Sequence, residues 1–114
     1  MIAVIFEVIP YADRKRNYLD TAGELRQHLE KIDGFLSIER FQSLTNPEKL
    51  LSLSFFRDEE ALSKWRRLAE HRRAQHIGRS SYFEDYRLRV AHVLRDYGMD
   101  RREEAPEDSR AVND

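Results

Sequence analysis

Residues 35–61 read FLSIERFQSLTNPEKLLSLSFFRDEEA, and the fold turns on them. From Phe35 to Leu44 the side chains alternate: Leu36, Ile38, Arg40, Gln42 and Leu44 fall on one side, Phe35, Ser37, Glu39, Phe41 and Ser43 on the other. A period of two predicts a strand. Thr45-Asn46-Pro47-Glu48 is a turn signal, and Lys49 to Arg57 returns as a second strand. So short a connection makes the pair an antiparallel hairpin. Asp58-Glu59-Glu60 then opens a helix, with acids where the positive end of the helix dipole favours them. Ala61, Leu62, Trp65, Leu68 and Ala69 form its apolar stripe, which predicts a helix running to about His76 and stopping at Gly78.

Upstream of the hairpin, residues 2–10 (IAVIFEVIP) are β-branched and aromatic, and Pro10 ends them. Both faces of this first strand are apolar except at Glu7. Tyr18, Ala22, Leu25, Leu29 and Ile32 then recur at helical spacing within residues 13–32, with Asp13 as the expected cap and Gly34 as the stop. Downstream, residues 84–96 alternate again as a long closing strand. The order β-α-β-β-α-β is the α+β, ferredoxin-like arrangement: a four-stranded antiparallel sheet with two helices on one face. The opposite sheet face has no cover within the chain, yet its strands are apolar. A two-fold dimer packing two sheets face to face is the simplest remedy.

The remaining composition narrows the functional classes. A chain of 114 residues holds one domain, taken here as residues 1–98. Residues 99–114 carry six acids against three arginines with few large apolar groups, and read as a charged, disordered tail. The net charge of −1 provides no basic footprint for nucleic acid. The absence of cysteine excludes disulfides, thiolate metal sites and cysteine nucleophiles. No apolar run reaches the roughly 18 residues of a membrane span, and the opening Met1–Phe6 lacks the positive region of a signal peptide. The expected location is the cytoplasm. No Gly-rich phosphate loop, nucleophile elbow or metal-spaced cluster is present.

From Gly34 to Gly98 the sequence resembles the antibiotic biosynthesis monooxygenase (ABM) domain family. The resemblance lies in Gly34-Phe35, Asn46-Pro47, Ser54-Phe55-Phe56-Arg57-Asp58-Glu59-Glu60-Ala61 and Trp65. It continues through Glu70-His71-Arg72, Gln75 and Gly78-Arg79 to Asp85-Tyr86-Arg87-Leu88-Arg89-Val90. With the first strand and helix it covers residues 1–98. It implies a dimeric α+β barrel and oxidation of a small aromatic phenol or quinol by O₂, with no metal or other cofactor. Two alternatives carry the same fold: a non-catalytic small-molecule-binding homodimer, and a haem-binding, haem-degrading monooxygenase. The haem-degrading branch uses an Asn on the first strand, where this chain has Glu7, so the sequence departs from it there.

The candidate site follows from these readings. Trp65 would form one wall of a flat pocket between helix and sheet, with Phe6, Phe56 and Phe83 as further walls. His71 or His76 would act as general base on a phenol, since histidine titrates near neutrality. Arg72 would stabilise the resulting anion. Glu7, a charge within an apolar strand, is either a pocket carboxylate or the partner of Arg87 or Arg89.

Overall fold

The computed structural model describes residues 1–68 and 82–113. Strand β1 spans Ile2–Pro10. A 3₁₀ turn, Ala12–Arg14, leads into helix α1, Lys15–Leu29. Strands β2 (Phe35–Gln42) and β3 (Leu50–Phe56) form the hairpin, followed by helix α2 (Glu59–Arg67) and strand β4 (Phe83–His92). The strands join in the order β2-β3-β1-β4, all antiparallel, which is the expected ferredoxin-like sheet. No helix among the described residues is long and apolar enough to cross a membrane.

Both ends of α2 have a local cause. Asp58 is extended and its Oδ1 accepts from the Ala61 amide at 2.9 Å, capping the first turn. Just upstream, Gly34 has φ of +94°, and a Cβ built there would lie 2.7 Å from Ala61 Cβ. The glycine thus permits both the left-handed turn and the close approach of α2. The Arg57 amide donates to the Gly34 carbonyl at 2.7 Å, locking the two segments together. At the far end α2 stops at Arg67, and Leu68 is already extended at ψ 132°. The expectation of one continuous helix to His76 is therefore corrected: the apolar stripe continues past the point where the backbone leaves helical geometry.

Two further boundaries differ from the sequence reading. Asp13 lies inside the 3₁₀ turn, and neither it nor Arg14 makes a capping bond at the start of α1. In β2 the pairing shifts between Phe35 and Ser37. The extra residue is Leu36, which is half exposed. A bulge of this kind moves one residue out of the alternation. Phe35 consequently sits opposite Phe56 and packs edge-on against it, with ring centroids 5.8 Å apart, on the same face as Ile38.

The core lies between the helices and one sheet face. Ile2, Leu29, Phe56, Ala61 and Leu62 form one buried cluster; Val8, Tyr18 and Leu50 form a second. The other sheet face carries Ile5, Leu51, Leu53 and Phe55, each half-buried within the single chain. Beyond β4, the segment read as a disordered tail carries a short helix, α3 (Glu107–Asn113), and a buried Ala105. Within it Arg102 donates to the Gly98 carbonyl at 3.1 Å and stacks over Tyr97.

Candidate functional site

Two cross-strand rows of the sheet form the floor of a cavity. The first row is Ile38–Ser54–Val4–Val90 and the second is Arg40–Ser52–Phe6–Leu88, each read from β2 through β3 and β1 to β4. All eight side chains face the helices and line a space of about 540 Å³. Helix α1 contributes Tyr18, Ala22, Leu25 and Leu29 to the cover; α2 contributes Leu62 and Trp65. The helix-side stripes read from the sequence place these residues over the sheet, and the two small serines in the floor leave the void beneath them.

The cavity has a distinct aromatic end. Phe6 lies 5.7 Å from both Phe83 and Tyr86, and Phe83 lies 5.3 Å from Tyr18 in an edge-on contact. Tilted and edge-on rings at these spacings attract one another through their quadrupoles. Thr21 and Tyr82 approach through their hydroxyls at 3.4 Å at this same end. The opposite side of the floor is polar, because Arg40, Ser52 and Ser54 fall on β2 and β3.

The residues predicted from sequence separate into three groups. Trp65, Phe6 and Phe83 line the cavity together. Phe56 is only 1% exposed and packs in the core beside Phe35 and Ala61, away from the cavity lining. Glu7 has the opposite strand parity from Phe6, so it points to the other sheet face. There it binds Lys49 at 2.8 Å and Arg89 through a short ion pair. Arg89 sits diagonally from Glu7 in the ladder, whereas Arg87 is its direct neighbour and makes no ion pair with it. The Lys49 hydrogen bond, then that of Arg89, holds the Glu7 carboxyl below the usual carboxylate range. His71, Arg72 and His76 lie outside the described residues.

Sequence reasoning missed Arg40, Ser52 and Ser54 as site residues. A signal existed: Arg40 breaks the apolar face begun by Ile38, and the serines alternate with leucines in residues 50–54. Among the described residues no group of three His, Cys, Asp or Glu side chains is placed to hold a metal ion.

A four-stranded antiparallel ferredoxin-like sheet with its helices is the fold of solved structures named as ABM proteins. The profile of the antibiotic biosynthesis monooxygenase family matches residues 1–77, and the chain belongs to that family. It is 48% identical over 93 residues to the Jasmonate monooxygenase ABM of Pyricularia oryzae, covering 82% of this chain and 43% of that protein. The chain thus spans less than half of that relative's length. It is also 30% identical to the protein YqjZ of Bacillus subtilis, over 82% of this chain and 79% of that one. Among solved structures, Rv0793 from Mycobacterium tuberculosis superposes with a TM-score of 0.76 at 16% identity, covering 85% of this chain and 98% of that chain. At that identity the likeness concerns the fold.

Proposed function

We propose that this protein is a monooxygenase that holds a small, mostly apolar molecule in the cavity between helices and sheet and oxidises it with O₂. The observation that carries this reading is the cavity: about 540 Å³, walled by Trp65, Phe6 and Phe83, in a chain of the ABM family. A site lined by aromatic groups with a few placed polar side chains suits a flat ring and excludes bulk water.

Two substrate classes fit. A phenol or quinol would stack between Trp65 and the Phe6–Phe83 end. Oxidation of the phenol to a quinone, or of the quinol to a hydroxyquinone, needs no added reductant: one atom of O₂ enters the ring, two hydrogens leave the substrate, and the second oxygen atom departs with them as water. Deprotonation of the phenol by His71 or His76, with Arg72 beside the anion, belongs to this reading and requires no resident cofactor. The second class is favoured by the 48% identity to a protein named for jasmonate. Jasmonate is a cyclic ketone with an unsaturated tail and a carboxylate, and its hydroxylation consumes two electrons from an external donor. The protein would work as a homodimer, with the half-buried Ile5–Leu53–Phe55 face of each sheet against that of a second copy.

The test is O₂ uptake by purified protein with a phenol and quinol panel and with jasmonic acid, each with and without a two-electron donor. A product carrying one added oxygen atom, labelled from ¹⁸O₂, supports the reading. The absence of uptake and of labelled product across all arms refutes it.

A further inference from the structure

The cavity is unevenly charged. Three arginines, Arg26, Arg40 and Arg66, are among its described lining residues, and no Asp or Glu is. Arg26 is neutralised locally, since its Nε donates to Glu30 Oε1 at 2.9 Å. Arg66 donates to Ser63 Oγ at 3.2 Å. Arg40 differs from both. Its Nε is buried and has no hydrogen-bond partner, the sole buried side-chain polar atom in that condition among the described residues. A buried donor without an acceptor is costly, and a charged one more so. Native proteins rarely leave such a group unpaired, so each one calls for an explanation.

The neighbours of Arg40 narrow what a ligand completing it would be. Ser52 stands directly opposite Arg40 in the ladder, and Ser54 stands opposite Ile38 one pleat along; both serines are buried. Both serines share the cavity floor with Arg40. The guanidinium of an arginine offers pairs of parallel donors, a fork that matches the two oxygens of a carboxylate. A phenolate has one oxygen and would use half of it. Moving from β3 to β4 along the same row, the floor becomes Phe6 and Leu88, two strand spacings or about 10 Å of apolar surface. The aromatic cluster of Phe83 and Tyr86 closes that end.

We infer that Arg40, with Ser52 and Ser54, anchors the carboxylate of an amphipathic monocarboxylic acid whose apolar body lies across Phe6 and Leu88 beneath Trp65. The inference deepens the monooxygenase reading by naming the substrate class and its orientation. The reacting carbon is then the part of the body remote from the carboxylate, at the aromatic end. Arg40 is a binding residue here and takes no part in the oxidation.

The test measures binding without turnover. Isothermal titration at pH 7.5 compares matched acid and methyl-ester pairs: jasmonic acid, cyclohexylacetic acid and 4-butylbenzoic acid, each against its ester. The acid of at least one pair is expected to bind about tenfold or more tightly than its ester, as fits a charge-assisted hydrogen-bonded pair. Arg40→Gln is expected to abolish that preference; Arg40→Lys should retain part of it, because charge remains and the fork is lost. Equal binding of acid and ester in every pair, or no binding of any acid, overturns the proposal. So does an intact preference in Arg40→Gln. Should Arg40→Gln not fold, Ser52→Ala is expected to reduce the same preference, and an unchanged preference there counts against the anchor. Oxygen uptake plays no part in these readings, so the monooxygenase reading and the carboxylate anchor fail separately.

Discussion

Lys49 Nζ lies 2.8 Å from Glu7 Oε1, tying the start of β3 to the middle of β1 on the sheet face away from the cavity. Arg89 of β4 takes the other carboxylate oxygen. The three side chains together clamp the central and edge strands across one face.

That clamp should be visible in the pH dependence of stability. The Glu7 carboxyl is held below its usual range by Lys49 first and Arg89 second. A carboxyl depressed in the folded state contributes stability above its unfolded pKa of about 4.3, and loses it as pH falls through the lower folded value. Glu7→Gln is therefore expected to lower the melting temperature by a few degrees at pH 7, with the gap to the parent closing as the pH is taken down to 3. Thermal melts across that range check it, and a gap equal at both ends contradicts the assignment.

Gly34 and Ala61 make a second testable pair. A side chain at Gly34 meets both the positive φ of +94° and the Ala61 methyl at 2.7 Å. Gly34→Ala is expected to cost about 1–3 kcal/mol through the backbone strain, before any steric overlap is counted. Pairing it with Ala61→Gly should recover only the steric part. Urea unfolding of the two single variants and the double variant separates the contributions.

Ala22 is buried on α1 and borders the cavity. Ala22→Phe projects a ring into the void, so the melting temperature should change little. Substrate KM should rise about tenfold or more, the scale on which a filled pocket rejects a ligand. Ala22→Val should give a smaller rise. A KM unaffected by the ring would place substrate binding elsewhere.

The sheet face opposite the helices predicts the assembly. Ile5, Leu51, Leu53 and Phe55 are half-buried in one chain, and Phe41 is 43% exposed beside them. Light scattering should report about twice 13.6 kDa for the parent protein. Leu53→Glu places a charge in the middle of that face and should give the single-chain mass. A monomeric parent would remove the dimer from the reading.

Much of the fold was legible because it rests on local periodicity. The apolar run of residues 2–10, the alternation in 49–57 and 84–96 and the four-three spacing from Tyr18 to Ile32 each specify an element. Strand parity aims Phe6, and the α2 stripe aims Trp65, at the same layer; Phe83 joins them through the register shift opposite Ile9 and Pro10, which a period of two does not contain. Register was less legible. The bulge at Leu36 turns Phe35 onto the Ile38 face, and no pattern of period two contains that displacement.

The amino-acid sequence by itself determined the element order and the antiparallel sheet, since hydrophobic period and turn residues act over a few neighbours, and its motifs carried the resemblance to the family. It also set the negative constraints, above all a chain without thiols. Tertiary structure alone decided which polar groups share a space. Arg40, Ser52 and Phe6 are distant along the chain, and only the pairing of β2 with β3 and of β3 with β1 puts them in one row beneath the helices. The same pairing sent Glu7 to the opposite face, one residue from the cavity in sequence and a full sheet away in space, because each step along a strand reverses the side that a residue presents.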